Sequence, residues 1–246
     1  MLTSQARAGL ASWVQHQAEP WTARPVRRVY IPKRGTTGKR RPPGIPVIAG
    51  RALPALAAGA LEPEWEARFE PRSYGFRPGR GCHDAIEAIY QAGKGAGPAR
   101  RWALDADLAA ASDRIDHCLV LSQLGTFPAR GLIAGWLAAG VVEDGRFTPT
   151  GEGTPQGGVI SPALLNVVLH GMETAAGVRY QRGGTDAAVA AAGSPVLVRY
   201  ADDLVALCHS RQQAEQVKAR LAAWLVPPGP GLQRGQDAHR HPRRGL

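Results

Sequence analysis

Two short acidic stretches stand out in a chain that is otherwise strongly basic. "LDADL" sets Asp105 and Asp107 two residues apart, and "YADD" sets Asp202 and Asp203 side by side inside the apolar run "VLVRYADDLVALC". Side chains two apart on a strand share a face, so Asp105 and Asp107 point the same way if "RRWALDADL" is a strand. Adjacent Asp202 and Asp203 escape that alternation only at a turn. Hard divalent cations such as Mg²⁺ take carboxylate oxygens and keep several waters, so two or three aspartates plus a substrate phosphate make a site of the expected form. Two such ions a few ångströms apart can hold the attacking and leaving oxygens of an in-line phosphoryl displacement. Each stretch alone also fits a solvated strand end or a polar turn, because Asp bonds its neighbouring backbone.

Three further constellations accompany the aspartates. "GEGTPQGGVISP" has glycines at 151, 153, 157 and 158 that permit close backbone approach, and Gln156 is a neutral donor able to reach a sugar or a phosphate. It lacks the Lys-Ser/Thr ending of a P-loop. Lys33, Arg34, Lys39, Arg40 and Arg41 cluster around a Gly/Thr tip that suits phosphates, though a solvated charged loop is the plainer reading. In "SYGFRPGRG", Tyr74 and Phe76 interleave with Arg77 and Arg80, a mixture that suits stacking on single-stranded nucleic acid or, equally, anchoring of the loop to the core.

The elements that must carry these groups follow from composition and periodicity. With 246 residues, 44% of them hydrophobic, the chain can bury a core in one domain or two joined subdomains. A formal charge of +10 favours a polyanionic partner, nucleic acid before an anionic membrane surface. No apolar run is long enough to span a bilayer and the N-terminus lacks a signal-peptide core, so no membrane association and a cytoplasmic location are expected. Three widely spaced cysteines, Cys82, Cys118 and Cys208, suggest neither a disulfide framework nor a zinc site.

Residues 1–25 read as a short helical lead-in, and residues 26–48 as a basic β-hairpin. A helix is expected over 51–69, where Pro54 is harmless only in the first turn. "CHDAIEAIYQAGKG", "RIDHCLVLSQL" and "GLIAGWLAAGVV" read as helices, and "VISPALLNVVLHGMETAAG" as one long buried helix. "VLVRYADDLVALC" is a hairpin, and a helix follows from about Ser210 to Leu225. The expected class is α+β, with a small antiparallel sheet packed on helices.

In their order and spacing, "YIPK…GKRRPPGIP", "EPEWEARFEPRSYGFRPGRGCHDAI", "LDAD…SDRIDH", "GTPQGGVISPALLN" and "VRYADD" resemble the reverse transcriptase domain of bacterial group II intron-encoded reverse transcriptase/maturases. The resemblance runs from about Val26 to Leu225. It implies a right-hand polymerase fold over residues 26–227, with fingers over about 26–100 and a palm over about 101–227. It implies that Asp107, Asp202 and Asp203 bind two Mg²⁺ ions, that Lys33 and Arg41 touch an incoming triphosphate, and that Gln156 lines the nucleotide pocket. The implied partners are an RNA template, group II intron RNA among them, a DNA primer and dNTPs. Asp105 has a weaker claim, and Asp113 and Asp116 are expected to be structural. The alternatives are a non-catalytic RNA-binding remnant of the same family, or a retron or CRISPR-associated reverse transcriptase.

The chain departs from the family pattern in three places. Ser112 stands where the family has an aromatic residue that lies beneath the sugar and excludes a 2′-hydroxyl, so Ser112 joins the nucleotide-binding candidates. Pro54 stands where the family usually has a glutamine. After the last helix the family continues into a thumb and a maturase region, whereas residues 228–246 carry no apolar periodicity. A frame one base forward from Gln236 permits Lys-Thr-x-Ile and, from Arg243, Asp-Glu-Gly-Phe, both family phrases, so a wrong-frame tail is expected there and the thumb and maturase region are expected to be missing.

Overall fold

The computed structural model describes residues 2–16, 21–32, 35, 38, 40–94, 100–108, 111–154, 157–181 and 189–225. Lys33, Gln156 and the tail from residue 226 lie outside the described residues.

Helix α1 (Ser4–His16) precedes the basic ribbon. That ribbon is one hairpin in two pieces: β1 (Val26–Arg28), β2 (Ile31–Pro32), β3 (Arg40–Arg41) and β4 (Gly44–Ile45), with β1 antiparallel to β4 and β2 antiparallel to β3. The interruption falls at Pro42 and Pro43, which have no N–H for the ladder, and Val29 N–H bridges the gap to the Pro43 carbonyl at 3.0 Å.

Helix α2 (Ala49–Glu66) begins earlier than expected, so Pro54 lies past the first turn and Pro63 is also interior. A proline there removes a helical hydrogen bond and crowds the carbonyl four residues back, at a cost of about 3 kcal/mol. Leu53, Ala57, Leu61 and Trp65 on the buried face offset it, since a large apolar side chain contributes roughly 1.5–3 kcal/mol on full burial. Helix α3 (Cys82–Gly93) is opened by Asp84, whose carboxylate accepts from the Gly81 N–H at 2.6 Å.

Strand β5 (Trp102–Asp107) leads through a 3-10 turn (Ala111–Asp113) into α4 (His117–Leu124), which the Asp116 side chain caps by accepting from Leu119 N–H at 2.7 Å. Helix α5 (Arg130–Leu137) then stops short of the expected end. Gly140 takes a φ of 77° that terminates the helix, and the two valines that follow open β6 (Val141–Glu143), which pairs with β7 (Arg146–Thr148). Strand β6 also runs parallel to β1, giving a four-stranded sheet of order β4-β1-β6-β7. The expected antiparallel architecture therefore holds for the second sheet and not for this one.

The long buried helix expected after Val159 is divided into α6 (Ser161–Val168) and α7 (Met172–Ala176) by Gly171 at φ 99°. Strands β8 (Val196–Tyr200) and β9 (Asp203–Cys208) form the expected hairpin, and α8 (Arg211–Leu225) completes the described fold. The sheet order is β5-β9-β8, antiparallel throughout. Leu104, Ala106, Leu197, Leu204 and Ala206 on one face join a single core with α2, α4, α6 and α8. On the other face, Val196, Val198 and Leu207 pack on Ala85 of α3. Core residues from α2 thus share one interior with β5, across the expected boundary near residue 100.

Candidate polymerase active site

Register decides which side chains meet. Leu108 N–H donates to the Asp202 carbonyl at 3.0 Å, and β5 and β9 pair Asp107 with Asp203, Ala106 with Leu204 and Asp105 with Val205. Because hydrogen-bonded and non-hydrogen-bonded pairs alternate, Asp107 and Asp203 form a non-hydrogen-bonded pair, the kind whose Cα atoms lie about 4.5 Å apart with side chains close. Asp203 also pairs with Tyr200 on β8, so Asp107, Asp203 and Tyr200 form one row across three strands. Asp105 lies on the same face, as its spacing required, two pairs further along.

Asp202 sits in the two-residue turn between β8 and β9. Ala201, the first residue of that turn, has φ 57° while Asp202 does not have positive φ, the pattern of a type II′ turn. This conformation normally calls for glycine, and an alanine there stores strain. Four carboxylates near one strand end repel: burial first, then Asp202, Asp107 and Asp105, push Asp203 above the usual carboxylate range. Among the described residues, no set of three or more His, Cys, Asp or Glu side chains is placed to hold a metal ion. The donor set still fits Mg²⁺, which completes its shell with waters and substrate phosphates rather than with a protein cage.

A second group, illegible as a site from the sequence, holds the turn from behind. Arg199, 2% exposed, lies on the core face of β8. Its Nη1 donates to Asn166 Oδ1 at 2.9 Å and to the Ala201 carbonyl at 3.0 Å, and its Nη2 donates to Ser73 Oγ at 2.6 Å. Asn166 Nδ2 donates to the Gly75 carbonyl at 2.9 Å. Gly75 lies against the turn itself, for a Cβ there would sit 2.3 Å from Ala201 N. Burial lowers Arg199 to about 10, with Glu70 and Glu173 favouring its charge, so it remains a cation at neutral pH. The signals were an arginine in an apolar strand and an asparagine in the apolar helix "LLNVV".

The remaining candidates divide. Phe76 is 54% exposed at φ 59°, a strained setting for a bulky residue, directly after the glycine that abuts the turn. Tyr74 is half-buried, and the Arg80 guanidinium lies 5.6 Å from its ring while Nη1 donates to the Pro71 carbonyl at 2.6 Å. Arg77 does not fit the nucleic-acid contact expected of it. It is buried, its Nε and Nη2 donate to the two Glu66 carboxylate oxygens at 2.9 and 2.5 Å, and its Nη1 donates to the Glu70 and Ser73 carbonyls. The sequence pattern cannot separate an arginine that clips a loop from one that reaches a phosphate.

Arg41 is exposed on β3 opposite Ile31. The Ser112 carbonyl accepts from Thr154 N–H at 2.7 Å, and Gly153 N–H donates to the Ile115 carbonyl at 2.7 Å, so Gly153 and Thr154 are laced to the turn after β5. Gly153 must be glycine there, because at φ 80° a Cβ would lie 2.5 Å from the Asp113 carbonyl oxygen. A cleft of about 240 Å³ opens beside this lacing, lined by Arg28, Asp113, Glu152 and Thr154. Among the described residues, no helix is long and apolar enough to cross a membrane.

An acidic hairpin is thus paired with an acidic strand in an α+β fold, and comparison with known proteins assigns the chain to a family. The family model for reverse transcriptase (RNA-dependent DNA polymerase) matches residues 31–229, and the chain belongs to that family. It is similar to protein YkfC of Escherichia coli, 39% identical over 65% of this chain and 42% of that protein. It is also similar to the group II intron-encoded protein LtrA of Lactococcus lactis, 37% identical over 61% of this chain and 25% of that protein. The chain thus spans less than half the length of these relatives. In fold it matches apo telomerase from Candida tropicalis truncated from its C-terminal domain, with a TM-score of 0.54 and 13% identity over 94% of this chain and 54% of the other.

Proposed function

We propose that this chain is the catalytic part of an RNA-directed DNA polymerase of the group II intron-encoded kind, in which Asp107, Asp202 and Asp203 hold two Mg²⁺ ions. The observation that carries this is the direct pairing of Asp107 with Asp203, with Asp202 beside it in a sharp turn. Bound metal would neutralise the clustered carboxylates and supply Lewis-acid stabilisation of the oxygens at the reacting phosphorus. The protein's own part is to hold three carboxylates at one strand end so that a primer 3′-hydroxyl meets the α-phosphate of a dNTP, with pyrophosphate as the leaving group. Lys33 and Arg41 would grip the triphosphate, and Gln156 and Ser112 would border the nucleotide. Phe76, Tyr74 and Arg80 would meet the nucleic acid. Residues from about 26 to 100 act as fingers and those from about 101 to 227 as palm in this reading.

Primer extension tests it. With an RNA template, a DNA primer, dNTPs and MgCl₂, the reading requires synthesis that Asp202→Ala abolishes. The net charge of +10 also suits one rival, a non-catalytic RNA-binding protein of the same family. That rival requires RNA binding that weakens steeply with salt and no synthesis.

A further inference from the structure

A guanidinium is an expensive object to bury behind an apolar strand, since breaking its pairing leaves an uncompensated charge and well-packed apolar residues often serve stability as well or better. Arg199 Nε has no hydrogen-bond partner among the described residues, so part of its burial goes uncompensated. What the side chain does achieve is a junction. Its two terminal nitrogens tie together three segments far apart in sequence: Ser73 of the loop before α3, Asn166 of α6, and the Ala201 carbonyl of the acidic turn. Its backbone closes the same joint, accepting from Tyr74 N–H at 2.9 Å and donating to the Arg72 carbonyl at 2.9 Å.

One of these bonds, from Nη1, ends on the carbonyl of Ala201, the first residue of the turn that carries Asp202 and leads into Asp203. Ala201 is 4% exposed with φ 57°, a strained state that persists only where its surroundings enforce it. Gly75, held by Asn166, closes the other side.

We propose that Arg199, acting with Asn166 and Ser73, is a positioning residue that clamps Ala201 in its left-handed conformation and thereby fixes Asp203 opposite Asp107, with Asp202 beside it, for a divalent cation. This rests on the reading of those three aspartates as metal ligands. A lysine cannot replace the arginine, because a point charge on a flexible stem does not reach three acceptors in a fixed fork. The strain at Ala201 gives the clamp a distinctive genetic signature: with glycine at 201 the left-handed conformation needs no enforcement, so losing the clamp should matter less.

The test is Mn²⁺ binding to the full chain, followed by electron paramagnetic resonance, with thermal unfolding recorded for every variant. Asn166→Ala is expected to weaken Mn²⁺ binding about tenfold, and Ala201→Gly in the same chain to restore most of that loss. A variant that merely loosens the core would lose unfolding temperature without recovering affinity through Ala201→Gly. Arg199→Lys serves as the second probe, with the same expected loss. If the wild-type chain binds Mn²⁺, Asp203→Asn abolishes that binding, and Asn166→Ala and Arg199→Lys remain at wild-type affinity while folded, the clamp is refuted and the metal site stands. If the wild-type chain binds no Mn²⁺, both fall.

Discussion

Asp107 and Asp203 stand directly opposite one another across β5 and β9, in a non-hydrogen-bonded pair that brings like charges close at the open end of the sheet. Opposed like charges destabilise a strand pair, so this arrangement is unfavourable until a cation enters.

Asp203→Asn should therefore raise the unfolding temperature of the metal-free protein, by about 1–2 °C given the solvent screening at this partly exposed site. The sign follows from titration. The Asp203 carboxyl is raised in the folded state, so the folded chain favours its proton and the penalty appears as pH rises through that raised value. Added MgCl₂ should reverse the order, stabilising the wild type and leaving the asparagine variant unmoved. Melting curves in EDTA and in MgCl₂ across pH 4–8 check both halves.

A second pH effect arises away from the aspartates. Burial, then the Glu173 charge, pushes Glu70 from 4.5 up to about 7. Between those values the folded chain keeps a proton that the unfolded chain has released, so stability falls as pH rises from 4.5 to 7 and levels off above. The ceiling on this contribution is on the order of 3 kcal/mol, one pKa unit being worth about 1.4 kcal/mol. Glu70→Gln keeps an acceptor for the Glu173 N–H, which the wild-type carboxylate accepts at 2.7 Å, and should flatten that slope in pH-dependent unfolding.

Under the proposed function, Ser112 would bear on sugar selection. Its carbonyl accepts from Thr154 N–H, and its side chain is a hydroxymethyl group where the family resemblance implies an aromatic ring. A chain with polymerase activity should incorporate ribonucleotides readily, and Ser112→Phe should raise discrimination for dNTPs over rNTPs by at least tenfold in paired single-nucleotide extension assays. Equal discrimination by the two proteins would remove Ser112 from the pocket.

Local chemistry made much of this legible. Apolar runs bounded by charge or by a turn exposed β5, β8 and β9, and the shared face of Asp105 and Asp107 followed from their spacing once β5 was a strand. Three kinds of feature were not local. The end of α5 turned on a positive φ at Gly140, and the break between α6 and α7 on another at Gly171, neither of which hydrophobic periodicity records. The parallel pairing of β1 with β6 joins segments more than a hundred residues apart. Nothing in the sequence separates Arg77 from a surface arginine, and only its apolar strand marks Arg199; burial against Glu66 in one case and Asn166, Ser73 and Ala201 in the other assigns them to the interior.

The convergence of two distant segments on one cation is the centre of this account, and metal-directed backbone cleavage measures it directly. Fe²⁺ in place of Mg²⁺, with ascorbate and peroxide, releases hydroxyl radical that cuts the chain wherever backbone lies next to the ion. Cuts near Asp107 and near Asp202 in the same folded protein, both suppressed by excess Mg²⁺, are the predicted result. Cleavage at only one of these segments, or at neither, in a chain that still unfolds cooperatively would contradict it.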